Sequence, residues 1–167
     1  HCVGQSAYRP FGLTRGISHL PARMAKPERT HRGDYRFFAP ITTRWSDNDV
    51  YGHVNSVVYY SYFDSIANLY LIETADLDIH NDQTVGFVVA SGCNYYAPVA
   101  YPQKLEGGLR VNQLKGSSVE YGIAIFKAGE NEAVADGFFT HVFVDRGVNK
   151  PVRIPERIRE ALTKISI

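Results

Sequence analysis

The stretch RWSDNDVYGHVNSVVYYSYFDSIANLYLIE, residues 44–73, decides the architecture. Its first part is an acidic loop rich in turn formers: Ser46, Asp47, Asn48, Asp49, Gly52 and Asn55. Its second part is nearly all apolar and long enough for about five helical turns. Asn55 or Ser56 is placed to cap that helix, because a short side-chain oxygen there accepts a bond from an orphan backbone N–H. The helix's polar residues, Ser61, Asp64, Ser65 and Asn68, recur at i, i+3, i+4 and i+7 and share one stripe. A helix apolar over most of its circumference is buried or wrapped by a sheet. An acidic loop therefore sits at the positive end of a central helix, a place suited to chemistry on a carbonyl.

The flanking sequence supplies the sheet. Residues 35–45 are rich in β-formers and predict a first strand, with Pro40 moving its pairing late or to an edge. Residues 76–84 are polar and turn-rich. Four further strands are predicted over residues 85–96, 105–112, 118–125 and 134–145, the middle two from strict alternation. Breaks fall at Pro98 and Pro102, at Lys115-Gly116 and at Gly129-Glu130-Asn131. Ile158, Ala161, Leu162 and Ile165 recur at helical spacing, with Pro155 suited to the first turn of a short final helix. One strand, a long buried helix and a four-strand meander make an α+β chain, with an antiparallel sheet curled around the helix. Such a helix needs more cover than one small sheet gives, which predicts at least a dimer.

At 167 residues, 44% hydrophobic and 13% aromatic, the chain can bury one sizeable core. The formal charge of +1 hides an asymmetry. Residues 1–33 carry six Lys/Arg against Glu28 alone, so the remainder is about −4, which argues against a nucleic-acid-binding core. Cys2 and Cys93 make neither a disulfide framework nor a zinc set, and point to a reducing compartment. No apolar run reaches the roughly 20 residues of a membrane span. Residues 1–33 lack periodicity and read as a flexible basic tail ahead of a domain at 34–167. The tail is either non-native or upstream sequence, or an organellar transit peptide, since it bears arginines and no acid before Glu28. The expected location is cytoplasmic, or mitochondrial if the tail is a transit peptide.

Several chemistries are excluded. Read as a calcium loop from Asp47, the sequence puts Tyr51 at position 5 and Val58 at position 12, where oxygen ligands are required. His53, His80 and His141 have no helical pairing and no cysteine partner, so no metal site is expected. Ser91-Gly92 lacks the leading half of a nucleophile elbow, because Val89 stands two before the serine. Neither a dinucleotide fingerprint nor a phosphate loop is present.

The pattern Asp47-x-Asp49-x-x-Gly52-His53-Val54-Asn55, followed by Tyr59, Tyr62 and Phe63, resembles the active-site loop and helix start of hotdog-fold acyl-CoA thioesterases. It is most similar to the 4-hydroxybenzoyl-CoA thioesterase-like family. Asn94-Tyr95-Tyr96-Ala97-Pro98 and residues 140–146, with Pro151 and Pro155, fit as well, so the likeness spans about residues 35–165. The resemblance implies a hotdog fold, a homodimer or homotetramer, and a thioester held where one subunit's loop meets its neighbour. It implies hydrolysis of an acyl-CoA to free acid and coenzyme A, with no cofactor besides the coenzyme A of the substrate.

In that reading Asp49 is the catalytic acid residue. A carboxylate ionised at neutral pH attacks the thioester or activates water, and helix N–H groups meet the oxyanion. By itself the residue reads as a turn or cap aspartate, and it is the full motif that points to catalysis. Asp47 is expected to be structural, bonding turn amides. Gly52, His53, Asn55, Ser56 and Tyr59 are candidates for positioning substrate or forming the oxyanion region, against ordinary roles as turn, surface, cap and core residues. Ser56 stands where some relatives carry His. Lys104, Arg146, Lys150 and Arg153 are candidates for the phosphates of coenzyme A, against plain surface charge. Three alternatives are an acyl-carrier-protein thioesterase, a non-catalytic hotdog dimer that binds an acyl ligand, and a dehydratase pairing Asp64 with His53.

Overall fold

A computed structural model describes residues 28–167. The basic tail over residues 1–27 lies outside these. Five strands form one antiparallel sheet in the order β1-β3-β4-β5-β2. They are β1 (Phe37–Thr42), β2 (Thr84–Tyr95), β3 (Lys104–Leu114), β4 (Ser118–Lys127) and β5 (Ala135–Asp145). Helix α1 (Val58–Ala75) connects the two edge strands and lies across one face; α2 (Glu156–Lys164) packs beside it. A sheet wrapped on a long central helix is the hotdog arrangement that the sequence predicts.

The alternation of β3 and β4 places Leu105, Leu109, Val111, Val119, Tyr121, Ile123 and Ile125 on the inner face. They meet Phe63, Ile66, Ala67, Tyr70 and Leu71 of α1 in one core. Gly107 makes the seat possible, because a Cβ there would lie 2.4 Å from Ile66 Cγ1. The Tyr70 hydroxyl donates to the Ala161 carbonyl and ties α1 to α2. The predicted polar stripe of α1 is the outer one: Ser61, Asp64 and Ser65 are exposed and Asn68 half-buried. Asp76 takes the left-handed conformation at φ 51° and stops the helix, its N–H bonding the Leu71 carbonyl. Among the described residues no helix is long and apolar enough to cross a membrane.

Three sequence boundaries shift. β1 ends at Thr42 rather than residue 45, because Asp47 pulls the chain into a tight turn, Trp45–Asp47. Pro40 does lie on an edge strand, opposite Glu106. Neither Asn55 nor Ser56 occupies the cap position, which is Val57; Asn55 Oδ1 instead accepts the Val57 N–H at 3.1 Å, one residue early. The folded unit also begins before residue 34. Thr30 bonds Asp136 through its N–H and hydroxyl, and the Arg32 N–H donates to the Asn131 carbonyl at 2.8 Å.

Candidate active site

The loop between β1 and α1 is built on Asp47. Its side chain is fully buried and accepts from the Arg44 N–H at 2.9 Å, the Arg44 guanidinium at 2.8 and 3.0 Å, and the Tyr62 hydroxyl at 2.7 Å. Burial alone would raise its pKa. The bonds from Tyr62 and Arg44 outweigh that and hold the carboxyl below its ordinary value. The Asp47 carbonyl accepts the Asn55 N–H at 2.9 Å, so both ends of the loop close on this residue.

Asp49 sits on the opposite side of the loop, half-buried. A turn from Asp49 to Gly52 closes with the Gly52 N–H on the Asp49 carbonyl at 3.0 Å. Gly52 adopts φ +80°, which a side chain would strain. The Asp49 N–H donates to the His53 carbonyl at 2.9 Å, and Asp49 Oδ1 accepts the Tyr51 N–H at 2.9 Å.

Asp49 borders a cavity of about 480 Å³ lined by Tyr51, His53, Val54, Ser56 and Tyr59 on one side and Tyr95, Tyr96, Ala97 and Pro98 on the other. The amino end of α1 opens here with no side-chain cap on Val57. Ser56 and Tyr95 brace the floor, the Tyr95 hydroxyl donating to the Ser56 carbonyl at 2.8 Å. Tyr59 packs edge-on against Tyr95 with centroids 5.2 Å apart, and burial pushes its pKa up to about 12. Tyr59 is thus a neutral, apolar wall at physiological pH. The far wall is fixed from behind: the Tyr96 and Ala97 N–H groups share the Val134 carbonyl, and the Tyr96 hydroxyl donates to Asp136 Oδ1 at 2.9 Å. A carboxylate at the mouth, a helix amino end beside it and a mostly aromatic wall suit attack on an acyl carbonyl.

The sequence profile of the thioesterase-like superfamily matches residues 43–162. The chain belongs to the thioesterase-like superfamily. Thioester hydrolysis is the reaction class this membership gives it. Two Pseudomonas aeruginosa proteins of known structure are similar to it. PA5185 of strain PAO1 is 52% identical, with a TM-score of 0.82 over 83% of this chain and 97% of that one. PA2801 is 26% identical, with a TM-score of 0.68 over 81% and 99%. The Bacillus subtilis protein YsmA is 25% identical over 86% of this chain and 96% of its own.

Within this thioesterase-like chain, Asp49, His53, Ser56 and Tyr59 all border the cavity, while Gly52 and Asn55 shape the loop behind it. The basic residues do not gather there. Arg146 follows β5 at the end opposite the cavity and donates to the His80 and Ile79 carbonyls beyond α1. Lys150 and Arg153 are exposed near that same end, where the Asp145 N–H bonds the Lys150 carbonyl and the Val152 N–H the Phe143 carbonyl. β5 pairs Ala135 with Tyr95 at the cavity and Asp145 with Thr84 at the far end, so roughly 30 Å of strand separates them. Lys104 is exposed at the start of β3, in a separate cleft beside Tyr101. His53 lines the cavity and His80 lies beyond α1, whereas His141 is buried on β5; among the described residues no set of side chains converges for a metal.

Tyr51, Val54, Ala97 and Pro98 have no individual role in the sequence pattern, and Tyr95 and Tyr96 enter it only through the family likeness of their stretch. The stretch 94–98 carried part of the family likeness, and that was the available signal.

Proposed function

We propose that this chain hydrolyses acyl-CoA thioesters to the free acid and coenzyme A, with Asp49 as nucleophile or general base. The observation that carries the reading is the placement of the Asp49 carboxylate and the amino end of α1 on one apolar-walled cavity. As general base, Asp49 takes a proton from water while the water oxygen bonds the acyl carbon. As nucleophile, it forms a mixed anhydride that water then cleaves. In both routes the C–S bond breaks, the sulfur leaves as thiolate, and a proton returns to it. Backbone N–H groups at the α1 start polarise the carbonyl, the field there being about half a positive charge. Asp49→Asn lowers kcat by on the order of 10²–10⁴ with the fold intact, read by free-thiol release across short, long and aromatic acyl-CoAs. Turnover by the variant close to that of the parent would remove Asp49 from the mechanism. A dimer that binds coenzyme A without releasing thiol would favour the non-catalytic alternative.

The proposed unit is a homodimer formed along β2. β2 is a twelve-residue edge strand carrying exposed Phe87, Val88 and Val89, the kind of edge that pairs with another strand unless covered. Antiparallel pairing of two β2 strands brings the Arg146 end of one subunit towards the Tyr95 end of the other. That is the route by which the distant cations would approach a shared site. Sedimentation at micromolar concentration, with Val88→Lys as the disrupting variant, tests it. A monomer in the parent chain would end the proposal.

A further inference from the structure

The single tryptophan of the chain stands four residues before Asp49 and is 77% exposed. Such a ring usually goes to a core or an interface, because it carries a large apolar face. Here the fold presents it outward on a fixed mount. Trp45 opens the turn that buried Asp47 fastens through Arg44 and Tyr62. Tyr101, 40% exposed, stands edge-on to it with ring centroids 5.9 Å apart and planes at 86°. Tyr101 is fixed as well: its N–H donates to Asn48 Oδ1 at 3.0 Å, so both rings share one frame with the site loop.

One cation stands beside the pair. Lys104 is exposed and forms no ion pair among the described residues. Lys104 and Tyr101 line one cleft of about 340 Å³ with Thr42, Thr43 and Gln103. The segment that parts this cleft from the Asp49 cavity is short: Pro98 borders the cavity and Tyr101 the cleft. Three residues span at most about 11 Å, so a chain-like ligand can bridge the two.

We propose that Trp45 and Tyr101 form the stacking platform for the adenine of coenzyme A, with Lys104 meeting its phosphates. The proposal rests on the acyl-CoA reading above and names where the nucleotide half of that substrate lies. A purine face stacks on an exposed aromatic ring, and phosphate oxygens pair with a lysine ammonium. An acyl group delivered by a carrier protein brings the same thioester arm without a purine, so a purine platform marks the free coenzyme A ester as the substrate.

Trp45 is its own reporter. Titration with coenzyme A and with adenosine 3′,5′-bisphosphate is expected to quench its emission saturably, and pantetheine to leave it unchanged. Trp45→Ala raises KM for the acyl-CoA about tenfold at nearly constant kcat and leaves KM for the matching acyl-pantetheine unaltered. Trp45→Phe, which keeps a stacking face, restores most of the loss. Hydrolysis of acyl-CoA without any change in Trp45 emission would overturn the proposal. So would an equal rise in KM for both substrates, or a change of subunit number in Trp45→Ala, which would make the ring a subunit contact. If the parent chain hydrolyses no acyl-CoA yet adenosine bisphosphate still quenches Trp45, the platform stands and the reaction reading falls.

Discussion

Residues 44–47 and residues 49–53 are halves of one loop, each with an aspartate, and they spend that aspartate differently. Asp47 receives bonds from Arg44 beside it and from Tyr62 on α1, and is sealed from solvent. Asp49 receives one bond, from the Tyr51 N–H of its own turn, and borders the cavity. A carboxylate whose oxygens are filled by fixed donors is committed to holding the loop. One with a single local bond has acceptor positions left for a ligand or water. The anchored half fixes the geometry of the loop, and the open half carries the carboxylate proposed to do the chemistry.

The largest expected effect separates the halves by readout. Asp49→Asn loses on the order of 10²–10⁴ in kcat and keeps its urea midpoint. A large loss of stability in that variant would merge the two halves into one structural unit. Asp47→Ala is expected to behave the other way, losing about 2–3 kcal/mol in urea unfolding, because the Tyr62 hydroxyl is left buried without its charged acceptor. If Asp47→Ala is as stable as the parent, the loop's mount lies elsewhere.

Acid titration sharpens the comparison. The folded pKa of Asp47 lies below its unfolded value near 4, so its stabilisation is complete above that value and is lost as pH falls through the folded pKa. A second group acts at higher pH. Burial pushes His141 down to about 4 from an ordinary value of 6.5, and neither of its ring nitrogens has a partner among the described residues. The unfolded chain therefore takes up a proton below pH 6.5 that the folded chain refuses, and stability falls from pH 6.5 to about 4. Urea midpoints against pH are expected to decline in two windows, the upper abolished by His141→Phe and the lower reduced by Asp47→Asn, with Asp78, Glu106 and Asp145, also held low, supplying the remainder. A single window unchanged by both substitutions would assign the acid response to other groups. The smallest effect belongs to Gly52→Ala, about 1 kcal/mol. The cost comes from φ alone, since a Cβ there meets nothing within 4 Å. A tenfold or greater loss of activity at that cost would show that the turn's shape, and not only Asp49, is part of the site.

Much of the fold was legible because its signals are local. Alternation in β3 and β4, the apolar run of α1 and the punctuation at Pro98, Gly116 and Gly129 each span a few residues, and each element lies within a few residues of its predicted place. The loop half of the site was legible for the same reason, since Asp49, Gly52, His53, Asn55 and Ser56 are neighbours in sequence. The opposite wall was not. Tyr95 to Pro98 reach the cavity because β2 runs along β5; beyond the family likeness of their stretch, no local pattern marks them as facing Asp49. Basic residues were the least legible: charge is visible in a sequence, but the end of the strand on which it lands is not. Arg146 proved to be a clamp on the chain beyond α1.

The order of elements, the central apolar helix and the acidic turn ahead of it follow from local pattern, because backbone propensity and side-chain periodicity act over one or two turns of chain. Packing between distant segments selects which of two near-identical carboxylates is sealed and which is left open. It alone set Trp45 outward, and it alone closed the cavity with residues more than forty positions away. Burial and hydrogen-bond supply depend on which distant segments pack against a residue, and a chain carries that information in its fold as a whole.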